Sequence, residues 1–198
     1  AEGTHATQDG LLRIRSQLPF TLFFAQGGLL DAKSALTLLG ELVVPEAALA
    51  QLHKVLWTES PASQVITVAS RAAYVCKPLQ PGQLLLLSPP EHPQLAARFL
   101  SALTPNFVWG HLGDLHPQAL TQQQRLATLL GRPLRLLLPE CLPQLASRYG
   151  QPLPPATHWS AAELTADLQL ALAPLLAAQC WLEQEALALF VRDQLSAT

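Results

Sequence analysis

The apolar pattern along this chain switches between two periods, and the clearest unit lies at residues 83–100. Leu84, Leu85, Leu86 and Leu87 form an unbroken apolar run. A run of that length predicts a strand buried on both faces. Ser88-Pro89-Pro90 ends it, because proline cannot donate to a sheet ladder. Leu95, Phe99 and Leu103 then recur at i, i+4 and i+8, which is one face of a helix. The same order returns at residues 134–149: a leucine-rich run, Pro139-Glu140, then Pro143-Gln144-Leu145-Ala146-Ser147-Arg148-Tyr149. Both copies carry Pro-Gln-Leu-Ala-x-Arg-aromatic after a leucine run and a Pro-Glu pair. The pattern predicts a repeated strand–loop–helix module, with Leu85–Leu87 and Leu136–Leu138 as buried strands. Leu95, Phe99, Leu145 and Tyr149 are expected to pack the two helices onto one core.

The flanking segments follow the same rules. Leu12-Arg13-Ile14-Arg15 alternates with the period of a half-buried strand, and the aromatic run at 20–25 predicts a second. Gln26-Gly27-Gly28 supplies a turn, and residues 31–39 a helix with Leu36 and Leu39 inward and Gly40 as its stop. Residues 45–57 read as a longer helix, with Pro45 at its start, Glu46 near the N-terminal dipole, and Leu49, Leu52 and Leu56 on one side. The β-branched segment 64–69 predicts a strand; 74–76 and 106–110 predict short ones. Thr121 and Gln124 have capping-box spacing, which predicts a helix from there to Leu130.

Residues 150–155 are proline-rich and read as a linker. Ser160 and Glu163 form a second capping box, followed by a stripe of Leu164, Leu168, Leu172 and Leu175. Leu182, Ala186, Leu189 and Phe190 give a last helix one apolar side. Strands alternating with helices predict an α/β domain with a largely parallel sheet over residues 1–150. Residues 151–198 then form the linker and a C-terminal helical pair, packed on that domain or on a partner. The competing arrangement is a mainly α domain with one small hairpin, since a continuous leucine run also suits a buried helix.

Composition changes this picture in one respect. Charged residues make up only 13% of the 198, against about 25% in an ordinary soluble domain. Such a chain either has a neutral surface or buries part of it against a partner. The net charge is −2, with no basic run to attract nucleic acid. The most apolar stretch, residues 164–182, is interrupted by Asp167, Gln169, Pro174 and Gln179, so no membrane span is expected. Cys76, Cys141 and Cys180 form neither a CxxC motif nor a disulfide framework. Buried thiols in a reducing compartment fit them, and with no signal peptide at the start the expected location is cytoplasmic.

Candidate chemistry is sparse. His111-Leu112-Gly113-Asp114-Leu115-His116, behind Trp109, places two imidazoles and a carboxylate after a strand, where α/β folds bind ligands. The H-x-x-D-x-H spacing is not diagnostic for a metal, and a turn aspartate with loop histidines explains it equally, so no metal ion is expected. Gln26, Gly27 and Gly28, between a strand and a helix, offer backbone N–H groups to an anion. They lack the Gly-x-Gly-x-x-Gly pattern and any P-loop lysine in register. No Gly-x-Ser-x-Gly elbow is present, and for Cys141 at a helix start His53, His92 and His111 are possible bases that the sequence does not bring close. No catalytic residue and no cofactor are assigned.

Two function classes follow. One is a non-catalytic protein-interaction or regulatory domain within an assembly, contacting a protein partner or a second copy through Leu182 and Leu189 of the C-terminal helices. The other is a small α/β enzyme or ligand-binding protein, whose site would join the loops at 26–28, 88–91 and 109–116 in a deep polar pocket.

Overall fold

The computed structural model describes residues 10–133, 135–160 and 164–187. Its first part contains β1 (Leu11–Ser16), β2 (Phe20–Phe24), β3 (Leu29–Asp31), α1 (Lys33–Leu39), β4 (Leu42–Pro45), α2 (Glu46–Ala50) and β5 (Leu52–Trp57). A regular alternation follows: β6 (Gln64–Val68), α3 (Arg71–Cys76), β7 (Gln83–Leu87), α4 (Pro93–Ala102), β8 (Val108–Leu112), α5 (Pro117–Leu130), β9 (Arg135–Leu136) and α6 (Leu142–Tyr149). The last elements are β10 (Gln151–Pro152), α7 (Ala166–Ala171), α8 (Ala173–Ala178) and β11 (Cys180–Trp181).

The fold is mixed α/β. Its main sheet has six strands in the order β4-β1-β7-β6-β8-β9. β7, β6, β8 and β9 run parallel, while β1 is antiparallel to both β7 and β4. A separate antiparallel sheet has the order β3-β2-β5.

Because side chains alternate across a strand, the central strands feed two cores. Val65, Leu84, Leu86 and Trp109 face α4 and α5, together with Leu12 and Ile14 of β1. Ile66, Val68, Leu85, Leu87 and Leu112 face α3, α6 and the 172–187 segment. Buried on both sides, β7 needs the unbroken leucine run that it has.

The two modules differ in their strands. All five residues of β7 are buried between β1 and β6, whereas β9 is a two-residue edge strand. Leu137 still donates its N–H to the His111 carbonyl at 2.9 Å, and Leu137 and Leu138 are half-buried. The helices form in both copies but sit on opposite faces: Leu95 and Phe99 join one core, and Leu145 joins the other. Tyr149 is exposed. The expectation of one shared core is therefore corrected.

Three local expectations change for tertiary reasons. The helix expected over 45–57 stops at Ala50, and the rest becomes β5, paired with β2. Val55 is fully buried there, and Phe20 meets Trp57 edge-to-face at 5.6 Å, so sheet pairing outweighs helix spacing. Residues 74–76 end α3 rather than forming a strand, because Ser70 Oγ accepts from Ala73 N–H at 3.1 Å and caps that helix. Leu39 is 76% exposed, not inward, although Gly40 does end α1 in the left-handed conformation.

In the C-terminal part, Gln151–Pro152 of the expected linker pairs with β11. α7 and α8 are short helices that meet at Leu172, with Pro174 in the first turn of α8. Residues 161–163 of the capping box, and Leu189 and Phe190 of the last helix, lie outside the described residues. Among those described, no helix is long and apolar enough to cross a membrane.

Candidate functional site

β6 and β8 are neighbours in the sheet, but the chain leaves them toward opposite faces. β6 leads to α3 on one side and β8 leads to α5 on the other. Such a divergence opens a crevice at the carboxyl ends of the two strands, where ligands bind in open α/β sheets. Here its lips are Ser70, after β6, and Asp114, after β8.

The chain itself fills the crevice from the α3 side. Leu182 pairs with Leu115, with backbone N–H donated in both directions at 2.9 and 3.3 Å. The residues after it, 184–187, are helical and cross both lips. Gln184 Oε1 accepts from Ser70 N–H at 2.9 Å, and Gln184 N–H donates to Asp114 Oδ1 at 2.9 Å. Ser70 Oγ donates to Glu185 Oε1 at 2.6 Å. Gln184 is 3% exposed. The Ser70 amide at the start of α3 is thereby committed to a side chain of the same protein.

On the α4–α5 side a narrow cleft remains. Ser88, Pro89, Pro90 and Pro93 form one wall, Ala119, Gln122 and Gln123 of α5 the other, and His111 and Asp114 lie at the sheet end. Its solvent-sized interior is about 40 Å³, little more than the volume share of one water molecule.

The polar groups at its base form a chain. Trp109 Nε1 donates to Thr67 Oγ1 at 3.0 Å, and Thr67 Oγ1 lies 2.7 Å from His111 Nδ1. The Gly110 carbonyl, at 3.3 Å, is the more distant acceptor for that hydroxyl. Thr67 Oγ1 and His111 Nδ1 are hydrogen-bonded, with the donor set by the tautomer of the ring. Burial pushes the His111 pKa down to about 4, so the ring is neutral at neutral pH. Neither His111 Nε2 nor Gln123 Oε1 has a hydrogen-bond partner, and both atoms are buried. Gly113 makes room for both side chains: a Cβ there would stand 2.5 Å from His111 Nε2 and 2.6 Å from Gln123 Nε2. Only glycine leaves room for both side chains.

Of the residues singled out in the sequence, the fold brings Trp109, His111 and Asp114 together. His116 has another task. Its Nδ1 accepts from Gln118 N–H at 3.3 Å to start α5, and its ring meets Trp181 edge-to-face at 5.3 Å. Gln26, Gly27 and Gly28 form the β2–β3 hairpin turn, away from the main sheet. Gly27 N–H donates to the Phe24 carbonyl there, and Gly28 accepts from Phe24 N–H. Two of the three expected loops therefore meet, and among the described residues no deep polar pocket joins all three. Leu182 is wholly buried within its own chain, and Leu189 lies outside the described residues. Among the described residues no three His, Cys, Asp or Glu side chains converge on one point.

Sequence reasoning missed Thr67, Gln123 and Gln184. Thr67 had a signal: it is the one hydroxyl in a β-branched run that is otherwise apolar at 65–68. Gln123 and Gln184 had none: Gln123 is one of four glutamines on α5, and nothing in the sequence around Gln184 points to Ser70. No family model matches the chain, and no curated protein matches it in sequence.

Proposed function

We propose that this chain is a non-catalytic interaction domain with a regulatory role inside a protein assembly. The observation that carries this reading is the filled crevice. At the point where this sheet topology ordinarily admits a ligand, Gln184 bonds both lips and Glu185 takes the Ser70 hydroxyl. A substrate reaching the ends of β6 and β8 from that side would have to displace them. The contact surface lies elsewhere. Leu172, Leu175, Leu182 and Leu187 are consumed by the chain's own core. Leu29, Leu30, Leu38 and Leu39, on the β3 edge and α1, are exposed on a chain with few charges. Exposed apolar clusters of this kind mark protein contacts.

Thermal unfolding of the intact chain with ATP, NAD or S-adenosylmethionine tests the first part. An unchanged midpoint is expected; a midpoint that climbs with ligand concentration would overturn it. Sedimentation across micromolar concentrations tests the second. Association of the wild type is expected to weaken in a Leu38→Glu, Leu39→Glu variant. Monomeric behaviour of both chains throughout would exclude a second copy as the partner.

A further inference from the structure

We propose that the open edge of β3 is the seam of a two-fold dimer. In it, β3 of a second copy pairs antiparallel about Leu30 and joins the two β3-β2-β5 sheets into one continuous sheet. The inference rests on the interaction-domain reading and commits it to a second copy of this chain as the partner.

The backbone sets the register. Along an antiparallel strand, residues alternate between those that bond the neighbouring strand and those that point away from it. Phe24 N–H donates to the Gly28 carbonyl and Ala32 N–H to the Phe20 carbonyl, both at 2.9 Å. Leu30 pairs with Leu22 between these two, so it also bonds β2. Leu29 and Asp31 therefore turn their N–H and C=O groups to the open side, where β3 has no neighbouring strand among the described residues. A second β3, turned about an axis through Leu30, sets Leu29 against Asp31 of the other copy on both sides of that axis. Each such pair exchanges two bonds, so every outward group on both strands is met. Leu30, 41% exposed, lies directly opposite its own copy at the closer spacing of a non-hydrogen-bonded pair. The Asp31 carboxylate faces Leu29 rather than another carboxylate, and its Oδ1 already accepts from Lys33 N–H at 2.9 Å.

This edge is also unguarded. Proteins blunt free strand edges with lysine, other charges or proline. The other outer strands of the two larger sheets follow that rule: β4 ends in Pro45, β5 carries Lys54 and β9 begins with Arg135. β3 has no lysine, arginine or proline, and residues 25–31 are exposed without a break. Space allows the approach. In the paired dimer the partner's β2–β3 turn falls beside the start of α1, and that turn contains Gly27, where an added Cβ would meet nothing within 4 Å.

The test is sedimentation velocity of the full chain across micromolar concentrations, with the fold of each variant checked by its amide spectrum. The wild type is expected to dimerise. Leu30→Lys and Leu30→Glu each set like charges directly opposite across the seam, so each should stay monomeric. An equimolar mixture of the two should sediment as a dimer again. Leu29→Pro removes an N–H that faces the open edge and leaves the β2–β3 bonds intact, so it should dissociate the dimer while the β2 amides stay protected. A monomeric wild type would overturn a second copy as the occupant of this edge. So would a dimer that survives Leu29→Pro, or a mixture of folded Lys and Glu variants that stays monomeric. Association lost in Leu38→Glu, Leu39→Glu but kept in every β3 variant would overturn the seam and leave α1 as the contact. Association untouched by both sets would overturn the reading of this whole surface.

Discussion

β7 and β9 begin from nearly the same composition and reach different ends. Each is a leucine run followed by proline, and each precedes a helix with the same Pro-Gln-Leu-Ala-x-Arg-aromatic order. β7 lies between β1 and β6, is buried on both faces, and keeps five residues in the ladder. β9 has one neighbour, β8, and keeps two. The difference teaches that a leucine run states the ability to be buried, whereas the number of neighbours decides how much burial occurs. Arg135 marks the edge copy, where a charged side chain reaches solvent.

The largest expected effect comes from truncating the two strands. Leu86 is wholly buried, so Leu86→Ala should cost about 2–5 kcal/mol of stability. Leu137 is half-buried beside the edge, and Leu137→Ala should cost about 1 kcal/mol. Urea unfolding of both variants decides the matter, and equal losses would break the contrast between centre and edge.

The sheet centre should also respond to acid. His111 in the folded chain has its pKa depressed from 6.5 to about 4 by burial. The unfolded chain therefore binds a proton that the folded chain refuses. Stability is full above about pH 6.5 and falls as pH drops toward 4, by about 3 kcal/mol in all. His111→Gln should flatten most of that slope in denaturant titrations run across the window. A slope that survives the substitution would mean that another group dominates.

A smaller effect is expected where the C-terminal segment closes over the strand ends. Gln184→Ala removes the side-chain acceptor of the Ser70 amide and should cost about 1–2 kcal/mol. Hydrogen exchange at the Ser70 amide should then speed up, while the β7 amides stay protected. Unchanged exchange at Ser70 would show that the closure does not depend on Gln184.

Legibility followed locality. Gly131 ends α5 in the left-handed conformation, and α4 forms on the Leu95–Phe99 face, as their spacing predicts. The 45–57 segment was misread because its leucines fit both periods, and pairing with β2 settled the choice. For the site, His111, Asp114 and Trp109 were visible as a cluster on one loop and strand. Gln123 and Gln184 were not, since nothing in a glutamine announces which cavity it will reach.

By itself the sequence determined the alternation of strands and helices from β7 to α6, the double burial of Leu84–Leu87, and, among the described residues, the lack of any long apolar helix. These depend on periodicity, turn chemistry and hydrophobicity, all of which act over a few residues. Tertiary structure alone decided that β9 is an edge, that α4 and α6 pack on opposite faces, and that Gln184 bonds Ser70 and Asp114. Ser70 and Gln184 are 114 positions apart. Their meeting is set by strand order and by which leucines the second core absorbs, and a local pattern carries neither.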